Sequence, residues 1–172
     1  MRAIETVSIG NVEDFLHEMV PQLGFQRTPI YRGQASDQWA ILPTLFREEV
    51  ARTEFNSWNE LESSLLVRLK QRARGDLGYD PMSELEWMSI GQHHGLPTRL
   101  SAWTENALVA LYFATEPGRE GEDGIVWRIL PGDSNLVISQ DYEQVPERPR
   151  IYGPQKTTPA MLNQKTCYLC HP

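Results

Sequence analysis

The strongest structural signal in the chain is an amphipathic repeat between residues 54 and 74. Its apolar side chains recur at intervals of three and four residues: Phe55, Trp58, Leu61, Leu65, Leu66, Leu69 and Ala73. This spacing predicts one long helix that ends at Gly75. The rest of the chain consists of shorter segments.

Short helices and strands alternate irregularly outside this repeat. Asn11 and Ser83 can cap two further helices, and the first of them places Val12, Phe15, Leu16 and Met19 on one face. A helix over residues 106–115 is apolar nearly all round, which predicts burial between layers. Strands are predicted at residues 25–34, 96–103, 124–130, 136–139 and 165–169, with a short extended piece at 39–43.

This order of elements predicts an α+β fold. We expect a single compact domain over residues 1–172, in which short strands form a small mixed sheet and amphipathic helices pack around it. At 172 residues such a domain can bury an ordinary hydrophobic core without metal or disulfide staples.

Charge and hydropathy exclude several classes of protein. The chain has 16 Lys and Arg against 23 Asp and Glu, a formal charge of −7, and this acidic balance argues against nonspecific duplex binding. The N-terminus lacks the apolar stretch of a signal peptide, and the longest apolar run, residues 107–114, is too short to span a bilayer. We therefore expect a cytoplasmic protein with no membrane partner; the oligomeric state stays open.

Polar side chains concentrate in three motifs. They are YRGQ at residues 31–34, QHHGLPTRL at 92–100 and the pair Trp103-Thr104. WAILPTLFR at 39–47 follows the first motif, and the apolar segment LVALYFA at 108–114 follows the last. Near the end of the chain, Gln164, Tyr168 and His171 form a Gln-x-x-x-aromatic-x-x-His pattern.

In these motifs the chain resembles the FRG domain family, and the resemblance covers almost all of its length. The family pattern has Tyr/Phe-Arg-Gly-Gln, then Trp-x-Leu-x-Pro-Ser-Leu-x-Arg, and then Gln-His-His/Tyr-Gly-Leu-Pro-Thr-Arg-Leu-Leu-Asp-Trp-Thr. One departure matters: Ser101-Ala102 stands where that pattern has Leu-Asp, so a carboxylate is absent. If that Asp is catalytic in the family, this chain is an impaired or inactivated form; if it instead caps or braces the loop, its loss costs about 1 kcal/mol of stability.

The resemblance implies an FRG domain over residues 1–172, associated with bacterial toxin-like and antiviral (anti-phage) defence proteins, and leaves open whether a further domain follows Pro172. The motif order also resembles that of arginine-type ADP-ribosyltransferases. That likeness implies NAD as cofactor or nucleotide substrate, with a protein or nucleic acid as acceptor. The same likeness implies that Arg32 binds the NAD pyrophosphate and that Thr98, Ser101 or Thr104 braces the site.

Two lists of candidate residues follow from these resemblances. The predicted nucleotide-binding residues are Tyr31, Arg32, Gly33, Gln34, Thr98, Arg99, Trp103 and Tyr112, where Trp103 or Tyr112 stacks on nicotinamide. The predicted catalytic residues are Arg32, His93, His94, Thr104 and Gln164. Gln164 is nearest to the place of the transferase glutamate, but it is neutral and cannot act as a base. Arg99 can bind an anion or pair with a buried acid.

Two other functions stay open. His93 or His94 could act as a general acid or base in a nuclease or other hydrolase, or the same pocket could be a noncatalytic recognition module for a peptide or phage component. No metal is expected, because adjacent histidines rarely aim at one point. Cys167 and Cys170 precede His171 in a pattern typical of haem attachment or zinc binding, yet strand alternation would point the two thiols to opposite faces.

Overall fold

The computed structural model describes the chain at residues 5–19, 28–47, 54–73, 75, 77–79, 81–117, 121–131, 145–154 and 158–172. It contains helices α1 (Val12–Met19), α2 (Trp58–Ala73), α3 (Glu84–His93), α4 (Ala107–Ala114) and α5 (Pro159–Asn163). Its strands are β1 (Ile30–Gln34), β2 (Leu100–Thr104), β3 (Ile125–Ile129), β4 (Arg150–Tyr152) and β5 (Thr166–Cys170). None of the helices described has both the length and the apolar character needed to cross a membrane.

The five strands form one sheet in the order β3-β1-β2-β5-β4. All four neighbouring pairs are antiparallel, so the α+β prediction is confirmed while the sheet is antiparallel instead of mixed. Each strand runs opposite to the neighbour on either side. Strand β1 lies between β3 and β2, both of which come much later in the sequence than β1.

The sheet is divided at its centre by the weak pairing of β1 with β2. The pairs β1–β3 and β2–β5 each extend over five residue positions. In contrast, β1 and β2 pair only where Tyr31 lies opposite Thr104. The two strands therefore diverge beyond this position, and side chains can enter between them.

Both faces of the sheet are covered by apolar side chains. The helical face packs Leu100, Tyr168, Cys170 and Tyr152 against Leu85 of α3 and Met161 of α5. The opposite face, here called the loop face, packs Ile30, Trp103, Ile151, Cys167 and Leu169 with Ile41 from the segment after β1. The separate clusters confirm that Cys167 and Cys170 point to opposite faces.

Local capping signals place the helix starts. The Asn11 side chain accepts from Asp14 N at 2.9 Å, the Ser83 hydroxyl accepts from Glu86 N at 3.2 Å, and the Asn106 side chain accepts from Leu108 N at 3.0 Å. Glu86 returns its carboxylate to Met82 N at 2.6 Å, one residue before the position that a capping box uses.

Several predicted elements differ from the structure in extent. Helix α2 begins at Trp58 and not at residue 54, because the Ser57 hydroxyl caps it by accepting from Glu60 N at 3.1 Å. Residues 39–43 form no strand; a turn closed by Leu42 N and Ala40 O interrupts them. Strand β4 and helix α5 were not predicted. The predicted strand at 136–139 and the start of the strand at 25–27 lie outside the described residues.

One prediction of burial was wrong, and the predicted apolar face of α1 is only partly covered. In α1 Phe15 is buried, while Val12 and Leu16 are exposed. In α4 the sheet side is buried at Ala110 and Ala114, but Leu108, Tyr112 and Phe113 are exposed. The reason is that α4 packs on the edge half of the sheet, over β1 and β3, with no second layer of described residues on its outer side.

Candidate functional site

Arg32 lies at the divergence of β1 and β2. Its guanidinium donates from one terminal nitrogen to the Ala102 carbonyl at 2.7 Å. If the β1–β2 ladder continued, Ala102 would lie opposite Gly33, so the Arg32 side chain takes an acceptor that backbone pairing would otherwise use. Its Nε is buried and has no hydrogen-bond partner among the described residues. The guanidinium thus has donor capacity left for a ligand.

The electrostatic surroundings of Arg32 are cationic. Arg47, which follows the 3-10 turn Thr44–Phe46, lies close enough that burial and then the Arg47 charge lower the pKa of Arg32 to about 10. Arg47 itself donates at 3.4 Å to the Leu42 carbonyl. In the part of the chain that the structure describes, neither arginine has a carboxylate partner. Both remain charged at neutral pH, so this place attracts anions.

Ser101 connects two rings on the same loop face. Its hydroxyl oxygen accepts from Trp103 Nε1 at 3.0 Å and lies 3.0 Å from His171 Nε2. His171 follows β5, and its backbone N donates to the Arg99 carbonyl at 3.2 Å. Burial and then the charge of Arg32 lower the pKa of His171. The site therefore combines Arg32, Arg47, Ser101, Trp103 and His171.

The other residues of the YRGQ motif build the site's support. Gln34 shares the loop face with Arg32, where its Oε1 accepts from Trp127 Nε1 at 2.6 Å. Gly33 faces α4 so closely that a Cβ there would lie 1.8 Å from the Ala110 carbonyl oxygen. Tyr31 alternates with Arg32 and is also turned to the helical face, where burial raises the pKa of its hydroxyl.

Thr98 and Arg99 are engaged in internal contacts just before β2. Thr98 is fully buried and donates to Gln92 Oε1 at 2.9 Å. Arg99 Nε donates to Glu62 Oε2 at 2.5 Å, and both side chains are at most 4% exposed. Of the two alternatives for Arg99, the structure has the pairing with a buried acid.

His93 and His94 lie at the C-terminal end of α3, and both are exposed. Their rings contact each other edge to face at a centroid distance of 5.2 Å. His93 Nε2 also lies 3.3 Å from the Thr158 hydroxyl, at the start of α5. The contacts recorded for these two side chains join α3 to α5 and not to the Arg32 region.

The remaining predicted residues are distributed around β2 and α4. Thr104, at the C-terminal end of β2, donates to the Gln164 backbone carbonyl at 2.5 Å, while the Gln164 side chain is exposed. Tyr112 is 62% exposed on the outer side of α4. The structure therefore brings Arg32, Gln34, Ser101 and Trp103 together on one face and leaves the other predicted residues in different surroundings.

A cavity of about 290 Å³ lies between α2 and α3, away from Arg32. It is lined in part by Arg99 and Lys70. Each of these cations already has an acid partner, Glu62 and Glu84 respectively. The Arg32 region is the better candidate for an anionic ligand because its cations lack such partners.

No group of three or more metal-ligating side chains occurs among the described residues. Burial raises the pKa of Cys167 and of Cys170 to about 12, so neither is a thiolate at neutral pH.

Sequence reasoning did not select His171 or Arg47 as site residues. Both stand within the motifs that carry the family resemblance, at the end of the Gln-x-x-x-aromatic-x-x-His pattern and of the WAILPTLFR segment. Those patterns were the available signal, but the sheet order that brings His171 close to Arg32 and the 3-10 turn that precedes Arg47 could not be inferred from them.

Comparison with known proteins identifies a domain family. A sequence model of the FRG domain matches residues 27–123, which include β1, β2 and α4. No curated protein and no solved structure matches the chain.

Proposed function

The chain belongs to the FRG domain family, and from the site geometry we propose that it binds a nucleotide through its phosphate groups at Arg32. NAD is the nucleotide that the resemblance to ADP-ribosyltransferases favours, with a protein or nucleic acid as acceptor. The family resemblance also favours a role in bacterial toxin or anti-phage systems.

One observation carries this proposal: Arg32 is a partly buried cation that has no carboxylate partner among the described residues. Burying a charge costs free energy unless a partner compensates it. The second cation, Arg47, adds to that cost and would add to the affinity for an anion. Guanidinium groups donate in a planar fork that matches phosphate oxygens, and charge-assisted hydrogen bonds of this kind are among the strong ones.

Ala102 marks the departure from the family pattern next to Arg32. Ala102 carries the carbonyl that Arg32 contacts, and its side chain is exposed. Because Ala102 lies opposite Tyr168, strand alternation places this side chain on the helical face, whereas Arg32 lies on the loop face. The Asp of the family pattern would therefore lie on the other face of the sheet from the Arg32 side chain.

The direct test is calorimetric titration of the protein with NAD, ADP-ribose and ATP. We expect saturable binding that Arg32→Gln weakens roughly 10- to 100-fold, because it removes charge-assisted hydrogen bonds. Arg68→Gln is the matched control, since Arg68 is an exposed arginine on α2. Circular dichroism and thermal unfolding check that both variants are folded.

Two outcomes would contradict the proposal. One is that none of the three ligands binds; the other is that Arg32→Gln binds as tightly as Arg68→Gln. Ala102→Asp is measured in parallel, because it restores the carboxylate of the family pattern at the residue whose carbonyl Arg32 contacts. An assay for NAD consumption and ADP-ribosylation on both forms then tests whether that carboxylate is needed for a reaction.

A further inference from the structure

His171 lies next to the proposed anion site and is open enough to exchange a proton with solvent. It lies on the loop face, half-buried at the end of β5, with its ring against the Ser101 hydroxyl. The Arg32 guanidinium contacts the Ala102 carbonyl, next along β2 to the Ser101 hydroxyl that the His171 ring contacts, and the Arg32 charge lowers the pKa of His171. Strands β1, β2 and β5 thus position the imidazole of His171 next to the proposed anion site.

Ser101 can stabilise both protonation states of this ring. Trp103 Nε1 is only a donor, so one lone pair of the Ser101 oxygen is always occupied. When His171 is neutral at Nε2, the hydroxyl can donate its proton to that nitrogen at 3.0 Å. When Nε2 carries a proton, the serine oxygen can accept it and turn its own hydroxyl to the Leu169 carbonyl at 3.4 Å. No group has to move.

The surroundings of His171 favour its neutral form in the free protein. Burial and the Arg32 charge both lower its pKa. The neighbouring Cys170 thiol adds no charge at neutral pH, since burial raises its pKa to about 12. Arg99 contributes only its backbone carbonyl, because its guanidinium is paired with Glu62. Among the described residues no carboxylate contacts the ring.

We propose that His171 takes up a proton when a phosphate or similar oxyanion binds at Arg32. The proton comes from solvent, and the anion supplies the negative charge that offsets Arg32. His171 then adds a third cation beside the anion, which tightens binding at lower pH. This inference rests on the proposed anion site but does not depend on which nucleotide occupies it.

The test follows the His171 ring by NMR in a pH titration, with sulfate as the probe. Sulfate keeps a fixed charge over the range in which histidine titrates, between about pH 5 and 8. We expect sulfate to raise the proton affinity of His171 about tenfold, the usual effect of an opposite charge within a few ångströms. Chloride at equal ionic strength controls for screening, and His17, His93 and His94 serve as references in the same spectra.

The Arg32→Gln variant tests whether Arg32 causes both the low pKa of His171 in the free protein and its response to sulfate. In this variant the free-state pKa of His171 should rise, since a neighbouring positive charge is gone, and sulfate should no longer change it. Calorimetry with NAD in buffers of different ionisation enthalpy then measures proton uptake on nucleotide binding, which His171→Gln should abolish. Gln keeps a polar group near Ser101 but cannot bind a proton.

The outcomes are distinct. A sulfate response without NAD binding supports this inference and contradicts the choice of nucleotide. NAD binding without proton uptake overturns the inference. The inference is also overturned if neither saturating sulfate nor Arg32→Gln changes the titration of His171. In both cases the anion site is judged separately, by the calorimetric test of Arg32→Gln.

Discussion

Arg99 and Glu62 form a buried ion pair that joins β2 to α2. The Glu62 carboxylate accepts from Arg99 Nε and also from Arg99 N at 2.7 Å, so it fixes both the side chain and the start of the strand. Asn59 accepts a further hydrogen bond from the same guanidinium. Because the partners are removed from water, the loss of one leaves an uncompensated charge.

We expect Glu62→Gln to lower the free energy of unfolding by about 3–5 kcal/mol, since the Arg99 charge would remain buried without its partner. Urea denaturation monitored by circular dichroism measures the change. The matched control is Glu84→Gln, which breaks the exposed pair of Glu84 with Lys70 between α3 and α2. That variant should lose no more than about 1 kcal/mol. Equal losses in the two variants would show that burial of the Arg99 pair contributes nothing.

The sequence predicted the orientation of a side chain correctly where a single secondary-structure element determines it. The opposite orientations of Cys167 and Cys170 follow from strand alternation alone, and the two hydrophobic clusters confirm them. Arg99 was different, because its partner lies 37 residues away on another element. Sequence could state the two alternatives for Arg99 but could not choose between them.

Helix α4 lies against the sheet at two glycines. A Cβ at Gly33 would come within 1.8 Å of the Ala110 carbonyl oxygen, and a Cβ at Gly124 within 1.9 Å of the Ala114 carbonyl oxygen. Both obstacles are backbone atoms, which cannot move aside as a side chain can. The absence of side chains at these two positions therefore sets how closely α4 approaches β1 and β3.

We expect Gly33→Ala to destabilise the fold by about 3 kcal/mol or more, because the helix must shift to accept the methyl group. Thermal and urea unfolding measure the change. Gly10→Ala is the control, since a Cβ there meets nothing within 4 Å. If Gly33→Ala unfolds at the wild-type urea concentration, α4 is not held at the distance described here.

Three helices with a local start signal were predicted, but α5 was missed although the Thr158 side chain caps it by accepting from Met161 N at 3.3 Å. Asn11, Ser83 and Asn106 each cap a helix through their own side chains, which the sequence alone can indicate. Strand β4 has only three residues and exists because it pairs with β5. The exposed outer side of α4 likewise depends on what lies above it, and hydropathy cannot supply that information.

The proposed anion site can be seen only at the scale of the whole molecule. Arg32, Ser101 and His171 lie on β1, β2 and the end of β5, and the strand order places these three strands side by side. Arg32 was predicted as an anion-binding residue, and that role stays a prediction. The proximity of His171 to Ser101, 70 residues away in sequence, could not be predicted without the sheet order.

The stability of the whole protein should depend on pH at both ends of the range. On the alkaline side, burial raises the pKa of Cys167, Cys170, Tyr152 and Tyr168 to about 12. The unfolded chain loses these protons from about pH 9 to 10, so it binds fewer protons than the folded chain there. These four buried groups therefore stabilise the folded state below about pH 9, and their contribution is lost as the pH rises toward 12.

On the acid side, His171 determines whether stability rises or falls with pH. Its pKa in the folded protein lies below its ordinary value of 6.5. Below this pH the unfolded chain binds more protons than the folded chain, so stability falls as the pH decreases through the folded-state pKa. We expect urea denaturation to give a smaller free energy of unfolding at about pH 5.5 than at about pH 7.5. His171→Gln should reduce that difference, because glutamine does not titrate. Sulfate should also reduce it, since an anion at Arg32 favours the protonated ring in the folded state. An identical pH dependence in wild type and His171→Gln would mean that the ring is not held in the cationic, half-buried site described here.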